Sequence, residues 1–182
     1  IIKTFLSSKA KKSKPGTYKL FGNHINYISF NTLFFLYNEI FIGLEYYFKS
    51  DKNKPFIIDC GSNMGMSILF YKFIYPDSEI IGFEPDIYAY KMLSKNVSEN
   101  NLTNTTVHQK ALTDKDGKID FFYDPDNTSA LHMSIMEERE YKSTYNELVT
   151  ARCVFEKALT SHQEKCSLSR HFCLADRERI FL

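Results

Sequence analysis

Apolar residues change their period along this chain, and each change marks an element. Tyr18 and Leu20 before Gly22-Asn23, and Ile25 and Tyr27 after it, recur in steps of two, which predicts a β-hairpin. Residues 33–48 are almost continuously apolar and predict a buried helix capped by Asn31 or Thr32. That stretch carries Asn38, Glu39 and Glu45 and falls short of the roughly 18–20 residues a membrane span needs. Residues 51–55 read as a linker into Pro55-Phe56-Ile57-Ile58, a short apolar run of the kind a buried parallel strand presents. Met66, Leu69, Phe70, Phe73 and Ile74 then recur at helical spacing until Pro76. A second strand follows over 79–83. Asp86 caps a second helix running to about Asn100, with Tyr90, Leu93 and Val97 on one face. Residues 105–112 predict a third strand, and Asp116-Gly117 turns the chain into a fourth over 118–123, where Ile119, Phe121 and Tyr123 share a face. Near the end, Leu148, Ala151, Phe155, Ala158 and Leu159 fit a moderately amphipathic helix.

Strand, helix, strand, helix, strand is the alternation of an α/β domain with a parallel sheet. It divides the chain into residues 1–54, an arm, hairpin and helix packing on the core; residues 55–140, the core; and residues 141–182. The loop Asp59-Cys60-Gly61-Ser62-Asn63-Met64-Gly65 falls at a strand's carboxyl end, where open α/β sheets bind ligands. Its spacing narrows the ligand. A dinucleotide loop wants G-x-G-x-x-G, but counting from Gly61 the second and third positions fall on Asn63 and Met66. A P-loop fails as well, since Met66 stands where its second glycine is needed. Glu84 ends the second strand-like run, where a carboxylate can accept from both ribose hydroxyls of a nucleoside. Charge-assisted bonds of that kind contribute roughly 1.5–3 kcal/mol each. The residues therefore point to a nucleoside-cofactor site, with a nicotinamide-dependent oxidoreductase kept as an alternative.

The pattern D-x-G-x-N-x-G resembles the first motif of S-adenosylmethionine-dependent methyltransferases, with Asn63 in the middle glycine position. Asn is the non-glycine residue most tolerant of positive φ. Taken with Phe83-Glu84-Pro85-Asp86, Leu93-Ser94-Lys95-Asn96-Val97, Lys110-Ala111-Leu112-Thr113-Asp114-Lys115-Asp116-Gly117 and the upstream Glu39-Ile40-Phe41 and Tyr46-Tyr47-Phe48, residues 18–137 look like the FkbM family of methyltransferases. The resemblance implies a Rossmann-like, three-layer α/β/α methyltransferase fold with S-adenosylmethionine as cofactor. It implies methylation of a hydroxyl on a sugar, other glycan or secondary metabolite. Asp59, Gly61, Ser62, Asn63 and Gly65 would then surround the methionine end, Glu84 would hold the ribose, and Ala111 would lie by the adenine.

Such a reaction is a direct displacement in which a hydroxyl attacks a sulfonium methyl, and alignment supplies much of its acceleration. A base also helps an alcohol of high pKa. His108 and His132 are the central histidines and read as ordinary strand or surface residues, so no catalytic residue is assigned. The family's later K-x-D-x-E-G-x-E motif has no counterpart here. No Asn follows Asn146, and four of the five arginines lie at or beyond Arg152, which marks a break in composition. The expectation is a domain incomplete or substituted after about residue 140, with a non-catalytic binding module as the alternative to an enzyme.

Composition adds exclusions. With 43% apolar and 15% aromatic residues the 182-residue chain is not generally disordered. A net charge of +1 gives no electrostatic case for nucleic acid, and residues 7–14 read as a solvated basic arm. Residues 1–6 are too short for a signal-peptide core, so four cysteines indicate reduced thiols in a cytoplasmic protein, with Cys60 a small buried residue. The N-x-[ST] matches at Asn96, Asn101, Asn104 and Asn127 read as coincidence. His162, Cys166, His171 and Cys173 lack the paired spacing of a zinc site, so no metal is expected.

Overall fold

The computed structural model describes residues 14–113, 117–122, 142–150, 168–169 and 172–174. The chain opens with β1 (Gly16–Leu20) antiparallel to β2 (Asn23–Tyr27), Thr17 lying opposite Asn26. The turn between them is Phe21-Gly22, both at positive φ (49° and 86°), the pair of conformations that matches the twist of a tight hairpin. It falls one residue before the expected Gly22-Asn23.

Helix α1 (Phe30–Tyr37) begins earlier than its apolar run suggested, because Ser29 is the cap. Ser29 is extended (φ −137°, ψ 147°), so its Oγ accepts from the Thr32 N–H at 3.1 Å. Asn31 and Thr32 lie inside the first turn, and the Thr32 hydroxyl meets Ser29 Oγ instead. The helix widens into a π-helical turn, Asn38–Ile42, and stops at Gly43; Leu44 follows at φ 54°. The single buried helix expected over 33–48 is thus replaced by a shorter one, buried along Leu33, Leu36 and Ile40. Phe34, Phe35, Ile42, Leu44 and Tyr47 are exposed. A helix buries one stripe against its neighbour, so an apolar run this dense leaves residues outside.

The core is β3 (Phe56–Cys60), α2 (Met66–Ile74), β4 (Glu79–Phe83), α3 (Ile87–Glu99) and β5 (Thr105–His108). The three strands are parallel in the order β5-β4-β3, with Ile57 opposite Ile80 and Ile81 opposite Thr106. Two successive right-handed crossovers in the same direction set α2 and α3 on one face of the sheet. Neighbouring Ile57 and Ile58 point to opposite faces and both are fully buried, so β3 is covered on both sides as a layered α/β fold requires. The architecture is α/β and Rossmann-like. Asp86 caps α3 as expected, its Oδ1 accepting from the Tyr88 and Ala89 N–H groups at 3.0 and 2.7 Å. Phe73 departs from the expected apolar face of α2: it is exposed and stacks on Phe21 at 5.4 Å.

The expected third strand divides. β5 ends at His108, opposite Phe83, because β4 extends no further, and β6 (Ala111–Thr113) pairs in a separate sheet. There β6 runs parallel to β8 (Lys142–Thr150), which is antiparallel to β7 (Gly117–Phe122). Leu148 therefore belongs to a strand with ladder partners on both sides, not to the start of a helix. Ala151, Phe155, Ala158 and Leu159 lie outside the described residues, as do Tyr123 and His132. β10 (Phe172–Leu174) pairs antiparallel with β3 and with β9 (Leu168–Ser169).

Candidate functional site

The loop from Gly61 to Gly65 is held by its own backbone and by the end of β4. Phe83 O accepts from both the Gly61 and Ser62 N–H groups at 2.9 Å. Glu84 Oε2 accepts from the Asn63 N–H at 2.7 Å, Asn63 Oδ1 from the Met64 N–H at 2.8 Å, and Ser62 O from the Gly65 N–H at 2.7 Å. Each N–H from residue 61 to residue 65 thus has a protein acceptor. A loop that cradles phosphate points such groups outward. Gly61 and Gly65 have φ of 90° and 87°, and Asn63 has 48°, so the asparagine adopts the left-handed conformation its glycine-like place requires. A Cβ on Gly61 would meet nothing within 4 Å, which leaves the backbone open to close approach. At Gly65 a Cβ would come within 2.8 Å of Leu93 Cδ1, so that glycine serves the packing of α3 instead.

Glu84 is buried, and its two oxygens divide the work. While Oε2 holds the loop, Oε1 accepts from the Asp86 N–H at 2.8 Å. Burial pushes the carboxyl up to about 7, opposed by those two backbone bonds and assisted by the charges of Asp86 and Asp59. Each carboxylate oxygen has a second lone pair, so ribose hydroxyls could still donate. Asp59 is buried under the loop, and its Oδ2 accepts from Ser67 Oγ at 2.6 Å, tying the end of β3 to the first turn of α2. Burial first, and then the charges of Glu39 and Asp59 at Tyr46 and of Asp59 at Tyr71, raises both phenols above the ordinary tyrosine range. Ser62 Oγ donates to Asp59 O at 3.2 Å.

Asp59, Gly61, Ser62, Asn63, Gly65 and Glu84 are therefore brought together at the carboxyl ends of β3 and β4. Ala111 is buried where β6 begins, in a different sheet from the one that carries the loop. His108 is a strand residue, the last of β5, and lies beside the site: its ring stacks on Phe83 at 5.3 Å, and its carbonyl accepts from the Glu84 N–H at 3.0 Å. Burial, then Lys110, lowers its pKa and favours the neutral imidazole. Two residues of the site were missed. Gly82 lets Ser62 lie close against β4, since a Cβ there would come within 2.6 Å of Ser62 Oγ; an isolated glycine in a strand was the available signal. Asn96 donates from Nδ2 to Met64 O at 2.8 Å and is fully buried, which also removes it as a glycosylation acceptor in the folded chain. Cys60 is half-buried rather than buried. Among the described residues no group of three or more His, Cys, Asp or Glu is placed to hold a metal, and His162, Cys166 and His171 lie outside them. No described helix is long and apolar enough to cross a membrane.

No family model matches this chain. It is similar to Methyltransferase sdnD of Sordaria araneosa, with 33% identity over 119 residues covering 65% of this chain and 45% of that protein. It is also similar to Methyltransferase 1 of Beauveria bassiana (strain ARSEF 2860), with 32% identity over 91 residues covering 50% and 36%. The chain thus spans less than half the length of these curated relatives. Among solved structures, methyltransferase FkbM from Methylobacillus flagellatus KT overlaps 39% of this chain and 20% of its own, at 18% identity and a TM-score of 0.34. M. jannaschii TYW2 in complex with AdoMet overlaps 60% and 54%, at 12% identity and a TM-score of 0.39.

Proposed function

We propose that this chain binds S-adenosylmethionine at the loop Gly61–Gly65 and serves methyl transfer to a hydroxyl of a small molecule or glycan, in the manner of the FkbM family. The observation that carries the reading is the direction of the loop's donors. All five N–H groups are satisfied within the protein while Gly61 stays open, which suits a nucleoside without a pyrophosphate better than a dinucleotide. Its similarity to two proteins named as methyltransferases supports the same reading.

In this proposal Glu84 accepts from the ribose hydroxyls with the lone pairs its backbone partners leave, and Asp59 supplies negative charge near the methionine end. Gly61 admits the cofactor against backbone, Ser62 and Asn63 hold the loop's curvature, and Ala111 borders the adenine side. The bound cofactor supplies an electrophilic methyl group on a sulfonium; the chain's own part is to orient it and to keep Glu84 and the loop fixed while an acceptor approaches. No described residue is assigned as the base. A cytoplasmic location fits this small-molecule role.

Incubation with methyl-labelled S-adenosylmethionine and a panel of hydroxylated sugars and secondary metabolites tests the reading. Label in an acceptor, lost in Glu84→Ala, is the expected result. Cofactor binding without transfer to any acceptor would favour a binding module over an enzyme.

A further inference from the structure

The hairpin does not reach the core through a strand ladder. Its outer edge is met by two side-chain amides four residues apart, one from α3 (Asn96) and one from its C-cap (Asn100). Asn96 Oδ1 accepts from the Asn26 N–H at 2.7 Å, and Asn96 Nδ2 donates to Asn26 O at 2.9 Å. Asn100 does the same at His24, with Oδ1 accepting at 2.7 Å and Nδ2 donating at 2.8 Å. Two carboxamides thus imitate a neighbouring strand at alternate residues of β2. Their second bonds differ: Asn100 Nδ2 also donates to Asn96 O at 2.8 Å, within the end of the helix, whereas Asn96 Nδ2 also donates to Met64 O at 2.8 Å, inside the glycine loop. The Asn26 side chain completes the connection, giving hydrogen bonds to Asn96 Oδ1 at 3.0 Å and Glu99 Oε2 at 2.8 Å and taking one from Thr17 Oγ1 at 2.9 Å.

We infer that Asn96 is a positioning residue for the cofactor loop, coupling the seating of the N-terminal hairpin to the loop's geometry and hence to cofactor affinity. The part about affinity rests on the proposed cofactor; the part about the loop does not. Met64 lies between the two left-handed residues Asn63 and Gly65, and the Asn96 bond fixes the direction of its carbonyl. The amide matters in both halves: a carboxylate at this place could still accept from Asn26 but would face Met64 O and Asn26 O with no proton to give.

The test compares Asn96→Asp with Asn100→Ala in the full chain. Asn100→Ala removes the His24 pair and the bond to Asn96 O while every side-chain bond of Asn96, to Asn26 and to Met64, stays in place, so it reports what support away from Asn96 does. Hydrogen exchange without ligand is read over a peptide covering residues 61–66, and S-adenosylhomocysteine is titrated by calorimetry. The expected result is exchange in that peptide about tenfold faster, and affinity about tenfold weaker, in Asn96→Asp. Asn100→Ala should leave both near wild type while speeding exchange in the hairpin. Loop exchange unchanged in folded Asn96→Asp, or equally fast in Asn100→Ala, overturns the inference. If wild type binds no S-adenosylhomocysteine, the cofactor reading and the affinity coupling both fail, whereas the exchange comparison still decides whether Asn96 positions the loop. Should Asn96→Asp not fold, Asn96→Ser takes its place with the same two readouts and a smaller expected change.

Discussion

The N-terminal part of the chain meets the core by two opposite chemistries. β2 meets α3 through buried amides, whereas α1 and its π-helical turn meet α2 through rings: Phe41 stands edge-on to Phe70 at 5.2 Å, and Tyr37 stacks on Phe41 at 5.7 Å. Apolar contact is non-directional, so rings that slide by an ångström keep most of their burial. Amides cannot slide. A shift of one residue along β2 would put Ile25 where Asn26 or His24 must pair and would leave buried donors unsatisfied. The aromatic contact supplies area and the amide contact supplies position, and the positional one touches the loop.

Cutting each contact sharpens this difference. Phe70→Ala removes a buried ring and should cost about 3–5 kcal/mol in denaturant unfolding. Its folded population should keep the loop exchange of wild type; faster exchange there would break the distinction. Asn26→Ala takes away three side-chain hydrogen bonds and should cost less, about 2 kcal/mol, yet it should quicken exchange at residues 61–66.

Glu84 gives the next effect. Its carboxyl is raised from 4.5 to about 7, so between those values the folded chain holds a proton that the unfolded chain has released. Its contribution to stability is complete below 4.5 and is lost as pH rises through about 7. The slope is at most about 1.4 kcal/mol per pH unit and should flatten in Glu84→Gln, as thermal unfolding across pH 4–8 will show. Ribose hydroxyls donate to the ionised carboxylate, so cofactor affinity should run the other way, tightening as pH rises through 7. The smallest effect is Asn63→Gly. Relief of the φ of 48° offsets the lost bond to the Met64 N–H, and stability should stay within about 1 kcal/mol of wild type by urea titration.

What could be read from the sequence was local. The hairpin, the Asp86 cap and the left-handed Asn63 each follow from a few adjacent residues whose backbone demands are strong, and all are present. The gathering of Asp59 and Glu84 was legible because strand–loop–helix–strand order fixes which strand ends lie side by side. The amide contact was not legible, since Asn26 and Asn96 are separated by 70 residues and an asparagine on a helix face ordinarily reads as solvated. Nor was the division of the third strand: β5 stops where β4 stops, and nothing between Thr105 and Leu112 records the length of a neighbour. The exposed residues of the 33–48 run and Phe73 were misread because apolar content shows that burial is available, not which residues a short helix will bury.

Calorimetric titration of S-adenosylhomocysteine and NAD into the wild-type chain and into Glu84→Ala is the most direct measurement. The inward-turned loop and the acid at the end of β4 predict binding of S-adenosylhomocysteine, weakened at least about tenfold in the variant, with NAD weaker in both. NAD binding tighter than S-adenosylhomocysteine, or S-adenosylhomocysteine binding unchanged without Glu84, would contradict the account.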